Sequence, residues 1–427
     1  MFEKENNKLE EKLPAGFRDI FPTESEERNS IRTIIKKEFE LWGYGEIKTP
    51  VVEFTKNISE GVGKNWKDKL INFFDSDGSL VSLRTDMTIP IARFTAMRIK
   101  KNQLPARFCY FANSFRKSSG QKGEKREYNQ AGLEFIGSSS HMCDAETLLI
   151  LVKMLKKMIP DNFLIGLGST EMLDLLCNWI DLTKQGEAFI KNELINKNYV
   201  ALGNYLEKQN PLKKELFLKI IKPVKDLSVL ENMINNTRSE ELISGFSRFK
   251  KIFSVLCEAG YKEYFIANFG ILRDFDYYTG IIYEVYSSNI NSIIGSGGRY
   301  DKLIKKFGPD VPATGFALDI DLLHKSVKES AFVIDKKISR VFISSKNKDF
   351  LKIIDFAEVL RKENIAVELD YNESAGKTNF LRDKKVDFLI VIDKTFTGAE
   401  VTHISSGKTF MKELKYVKDF LLYGRNA

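Results

Sequence analysis

The chain has little of what builds metal centres, disulfide scaffolds or membrane spans. Its 427 residues include four cysteines and three histidines. Cys109, Cys143, Cys177 and Cys257 lie far apart, no CxxC pair occurs, and His141, His324 and His403 are scattered. A metal site is therefore not expected, and the cysteines read as reduced core residues. No apolar run approaches the roughly 20 residues that a membrane helix needs. The charged start MFEKENNKLEEKL lacks the apolar segment of a signal peptide. A soluble, cytoplasmic chain without membrane contact is expected. A long Lys/Arg block is missing too. The 66 basic and 58 acidic residues leave a net charge of +8, which permits nucleic-acid contact without arguing for it, so nucleic acid is not an expected partner.

Hydrophobic content of 43% and charged content of 29% are globular values. A chain this long exceeds the usual size of one core. We expect a flexible tail over residues 1–12, a large domain over 13–325 and a smaller one over 338–427, joined by a charged connector from Lys325 to Lys337. In the large domain Thr23-Glu24-Ser25-Glu26 matches a helix capping box. Glu46–Val52 reads as one strand, with Pro50 marking an edge or a bulge. Segments 71–75 and 80–84 read as a hairpin around Ser76-Asp77-Gly78. A helix opens at Asp86-Met87-Thr88. Residues from about 170 to 260 are helical in pattern and read as an insertion. Past Arg340, strands and helices alternate, and Val386–Ile392 is almost wholly apolar, which implies a small parallel or mixed sheet.

The central stretch is Arg107 to Gly137. It reads as two strands joined by the mobile, polar loop Lys117–Lys125. Alternation in the second strand puts Gln130, Gly132 and Glu134 on one face and Ala131, Leu133 and Phe135 on the other. An amide and a carboxylate flanking a glycine suggest a polar pocket over a strand, although an ordinary solvated sheet face has the same pattern. Asp86 and Thr88 stand at a helix start, where N-capping alone also explains them. In Arg273-Asp274-Phe275-Asp276-Tyr277-Tyr278 a guanidinium, two carboxylates and two phenols crowd before a strand. Such crowding is unusual for a structural turn, and arginine suits two-point clamping of a carboxylate. Gly297-Gly298-Arg299-Tyr300-Asp301 offers close backbone approach plus an arginine, a weak signal by itself.

Taken together and in order, these segments resemble the catalytic domain of histidyl-tRNA synthetase, a class II synthetase, over most of residues 13–325. Arg116–Gln130 is similar to that family's second class motif, Arg273–Tyr278 to its histidine-recognition segment, and GGRYD is shared. The resemblance implies an α+β fold: an antiparallel sheet flanked by helices, a helical insertion, and a C-terminal α/β domain similar to the synthetase's anticodon-binding domain. Four departures stand out. Ser118 falls where an acid usually follows the motif arginine, and the loop Lys117-Ser118-Ser119-Gly120 lacks the usual charged pair. Aligning Gly315–Leu322 with the last motif puts Leu322 where an arginine normally packs on adenine. It also puts Asp319 where a glycine is usual.

The amino-acid pocket, by contrast, is similar throughout. By resemblance Asp86, Thr88 and Gln130 hold an α-amino group, Arg273 holds the carboxylate, and Glu134 and Tyr278 face the imidazole of histidine. Arg116 and Tyr277 complete the set. A histidine pocket beside a lost nucleotide site resembles the ATP phosphoribosyltransferase regulatory-subunit family, as do Asp86-Met87-Thr88 and Thr279-Gly280. That likeness implies a non-catalytic subunit of histidine biosynthesis with no cofactor. It also implies self-association as a dimer, a hetero-octamer with a short catalytic subunit, and histidine as effector. The competing readings are a histidyl-tRNA synthetase with a divergent ATP site and an RNA-binding paralogue.

Overall fold

Ala106–Phe115 and Glu127–Ile136 pair antiparallel along their whole lengths, Phe108 opposite Glu134 and Ala112 opposite Gln130. In this computed structural model, which describes residues 12–62, 68–117, 124–273, 277–330, 339–346, 349–371 and 378–423, they lie inside an eight-stranded sheet. Its order is Gly45–Glu46, Ala106–Phe115, Glu127–Ile136, Ala313–Asp319, Ser292–Arg299, Ile281–Ser287, Phe163–Ser169, Phe265–Ala267. The six inner strands run antiparallel to one another, and a short parallel strand closes each edge. The expected antiparallel sheet is thus mixed at its rims. Helices Pro22–Leu41 and His141–Met158 cover one face. Ile31, Ile35, Phe39, Leu148, Leu151 and Leu155 are fully buried there, in one core with Leu133 and Phe316. Each such side chain contributes about 1.5–3 kcal/mol of transfer free energy. The opposite face carries a second cluster that includes Met87, Ile89, Tyr110, Tyr277 and Tyr300.

Several local expectations change. The first helix starts at Pro22, with Phe21 as an N-cap that makes no side-chain bond. Thr23 is already inside it, because proline at the first helical position supplies the fixed φ and needs no donor. Glu46–Val52 is not one strand. Gly45–Glu46 joins the large sheet, and Val52–Phe54 joins a separate three-stranded sheet with Leu80–Leu83 and Asn72–Phe74. Pro50 lies between them, where no ladder bond is needed. The hairpin of Asn72–Phe74 and Leu80–Leu83 forms. Gly295–Arg299 extends the Ser292 strand, since ladders to both neighbours satisfy its backbone.

Residues from Thr170 to Glu258 form six helices. Pro211 opens one of them and does not merely break the run. The chain divides into two compact units, Met1–Ile334 and Asp335–Ala427. The second holds a five-stranded sheet in which Arg340–Ser345 pairs parallel with Ala366–Leu369 and Phe388–Ile392, and Gly398–His403 and Thr409–Glu413 add antiparallel. Among the described residues no helix is long and apolar enough to cross a membrane. Cys109, Cys143 and Cys177 are buried and all four cysteines are free. Residues 1–11 of the tail, Ser118 with the rest of 118–123, Asp274 to Asp276, and 331–337 of the connector lie outside the described residues, while Lys325–Lys328 end the helix that begins at Ile320.

Candidate functional site

The second face of the large sheet holds a cavity of about 210 Å³. Asp86, Thr88, Arg116, Gln130, Glu134, Arg273, Tyr277 and Tyr278 all line it, together with Tyr110, Tyr128, Ser296, Tyr300, Phe316, Asp319 and Leu322. Strand alternation supplies its floor. Gly132, Ala317 and Ser296 sit opposite one another across three strands, leaving a low floor between taller side chains.

Glu134 stands at the centre of the site. It is 1% exposed. Thr88 Oγ1 donates to its Oε1 at 2.9 Å, and the Tyr300 hydroxyl donates to its Oε2. Room for this carboxylate comes from its cross-strand neighbour Gly315, where a Cβ would collide with the Glu134 carboxyl group. A Cβ at Gly298 would likewise press on the Tyr278 ring at 2.9 Å. Burial pushes the Glu134 pKa up to about 8, against the lowering effect of the Tyr300 and Thr88 hydrogen bonds. Asp86 is also buried. It accepts from the Ile89 backbone N–H and from the Tyr277 hydroxyl, both at 3.3 Å, and burial raises it to about 6.

These shifts make stability depend on pH. Between about 4.5 and 8 the folded chain holds a proton on Glu134 that the unfolded chain has released. The stabilisation is complete below the unfolded value and is lost as pH rises through about 8. The urea midpoint should therefore fall from about pH 5 to pH 8, and Glu134→Gln, neutral throughout, should flatten that slope. An unchanged slope in the variant would refute the assignment.

The cations lie around this acidic centre. Arg116 stacks over the Tyr128 ring at 4.7 Å, and burial lowers its pKa. Arg273 Nη1 donates to Glu284 Oε1 at 3.0 Å. Thr88, read as an amino-group ligand, is bonded to Glu134 in this structure. The cavity thus presents carboxylates, phenols and two guanidinium groups, a set that suits a small zwitterion with a basic ring.

One side of the cavity is hostile to a polyanion. Asp319 Oδ1 accepts from the backbone N–H groups of Asp321 and Leu322 at 2.8 and 3.0 Å, so the chain's own carboxylate occupies the N-terminus of helix Ile320–Lys328. Leu322 supplies an apolar surface beside it.

Arg299 of the GGRYD stretch has a structural task. It pairs with Asp144 at 3.0 Å and Asp301 at 3.0 Å, and donates to the carbonyls of Ser138 and Ser140. Arg299 and Asp144 are both buried. Arg299→Ala should cost about 3–5 kcal/mol in a urea melt, because it strands Asp144 without its partner. A loss near zero would contradict this clamp. Its neighbour Tyr300, which sequence reasoning left out of the site, is the residue that reaches Glu134. Tyr110 and Glu284 were missed as well, since only cross-strand register reveals them.

The family model for histidyl-tRNA synthetase matches residues 16–323. The ATP phosphoribosyltransferase regulatory subunit of Clostridium novyi (strain NT) is 30% identical over 392 residues, covering 91% of this chain and 93% of that relative. The regulatory subunit of Moorella thermoacetica is 32% identical over 363 residues, 84% of this chain and 92% of its own length. A Bacillus halodurans structure described as an ATP phosphoribosyltransferase regulatory subunit/histidyl-tRNA synthetase superposes with a TM-score of 0.77 at 25% identity, covering 90% of this chain and 99% of that one. Histidyl-tRNA synthetase from Nostoc sp. PCC 7120 shares the fold, with a TM-score of 0.81 at 17% identity over 97% of this chain and 99% of that one. Built on a synthetase-like domain, the chain belongs to the ATP phosphoribosyltransferase regulatory-subunit family.

Proposed function

We propose that this chain is the histidine-sensing subunit of a short-form ATP phosphoribosyltransferase in the cytoplasm, acting at the first step of histidine biosynthesis. It makes no adenylate itself. It self-associates as a dimer, assembles with the catalytic subunit as a hetero-octamer, raises its activity, and transmits inhibition when histidine occupies the cavity. Asp86, Thr88 and Gln130 then take the α-amino group, Arg273 the carboxylate, and Glu134 with Tyr278 the imidazole, with Arg116 and Tyr277 framing the pocket.

The observation that carries this reading is an asymmetry within one cavity. The Glu134 side is fully furnished for an amino acid, while Asp319 and Leu322 supply a negative charge and an alkyl group on the side where a nucleotide would need cations. For histidine to inhibit, it must bind the inactive assembly better than the active one, because only differential affinity shifts populations. Co-expression with a short catalytic subunit tests the assembly. The two should co-purify, and the catalytic rate should rise on mixing. Histidine-dependent pyrophosphate exchange by the chain alone would instead establish a synthetase.

A further inference from the structure

Arg273 is tied to a strand that carries none of the sequence-derived site residues. Its Nη1 donates to Glu284 Oε1 at 3.0 Å, and the Tyr286 hydroxyl donates to the other carboxylate oxygen at 2.6 Å. Glu284 is 5% exposed. It stands directly across from Ser296, which lines the cavity, and on its other side faces Gly166, which offers no side chain. A carboxylate is therefore buried one strand behind the cavity floor, held by an arginine that borders the cavity and by a tyrosine. Burying such a group is costly unless it is paired and hydrogen-bonded.

The backbone explains why a holder is needed. Leu272 and Arg273 belong to no helix or strand, so regular structure does not aim this long side chain. Glu284 sits on a strand paired on both sides and is rigid by comparison. One guanidinium edge engaged by Glu284 leaves further N–H groups of the same planar fork for a second carboxylate. An arginine already held in place loses less freedom when a ligand arrives.

We propose that Glu284 is the positioning residue that holds Arg273 as the carboxylate clamp of the amino-acid cavity, and so sets the preference for an amino acid over an analogue without the carboxylate. The proposal rests on the histidine-site reading above. The test is calorimetric titration of the full chain with histidine and with histidinol, which keeps the imidazole and amine but carries a hydroxymethyl group. The wild-type chain prefers histidine. Glu284→Ala reduces that preference by about tenfold or more while histidinol affinity stays within about threefold. Glu284→Gln, which keeps an acceptor for Arg273, retains most of the preference. Glu284→Asp keeps the charge but withdraws it from Arg273, so it loses the preference too and carries the test if the alanine variant fails to fold.

Equal losses for both ligands would assign Glu284 a merely structural role and overturn the proposal. So would an unchanged preference in the Ala and Asp variants, or a Gln variant as impaired as Ala. A wild-type chain that binds neither ligand overturns the site reading itself, a result distinct from any of these.

Discussion

Replacing Glu134 by glutamine should lower the affinity for histidine by about 100-fold, about 3 kcal/mol, in calorimetric titration at about pH 9, above the Glu134 pKa of about 8, where the group is ionised. Glutamine matches the volume of glutamate, so the space made by Gly315 stays filled and no void arises. What is lost is the anion. A ligand ring N–H that met a carboxylate now meets a neutral amide, and hydrogen bonds to charged groups are roughly twice as strong as neutral ones. Thr88 and Tyr300 both donate to the Glu134 carboxylate. The amide has one oxygen to offer these two hydroxyls, and its NH₂ group points a donor where an acceptor stood. The loss should therefore exceed that of a single weakened bond. An affinity within about threefold of wild type would show that the ligand ring does not meet this residue.

The second large effect concerns nucleotide. Wild-type chain should give no saturable heat with magnesium–ATP, whereas the double variant Asp319→Gly, Leu322→Arg should gain about 100-fold in affinity and become measurable. Removing Asp319 frees the backbone N–H groups of Asp321 and Leu322, and with them the positive end of the helix that begins at Ile320. The new arginine adds a planar cation at a position that lines the cavity. Burial raises the pKa of Asp319 while Lys125 works in the opposite direction, so the group withdrawn is a desolvated acid with its own hydrogen bonds. Tight ATP binding by the unmodified chain would contradict the claim that this half of the cavity has been dismantled.

These residues also show what the sequence could and could not reveal. Gln130 and Glu134 share the face that a period of two assigns them, because the strand is regular along its length. Asp86 and Thr88 start a helix in sequence and line the cavity in space, so either reading of that segment was incomplete alone. Tyr300 was hidden by its neighbour, since Arg299 carried the conspicuous charge and proved to be a clamp on Asp144. Glu284 sits in an apolar strand, where a lone acid gives no local hint of the arginine 11 positions away that it will meet. Strand register places it beside Ser296 of the cavity, and only the folded segment ahead of the strand brings Arg273 to it. Pro50 was read as an edge or a bulge within one strand, whereas it separates two, because local sequence does not say that the two sides join different sheets. The last two strands of the second unit, Gly398–His403 and Thr409–Glu413, are short and largely polar, so their alternation carried little signal.

The central claim is that the Glu134 cavity is where histidine acts on the enzyme complex. The direct measurement is the phosphoribosyltransferase rate of a short catalytic subunit reconstituted with wild-type chain or with Glu134→Gln chain, read across a histidine titration. With wild-type chain the rate should rise on mixing and fall with histidine. With the variant it should rise equally, but the inhibition curve should move to higher histidine by about the factor lost in binding, roughly 100-fold. An inhibition curve that does not move between the two chains would place the sensor elsewhere and contradict the account.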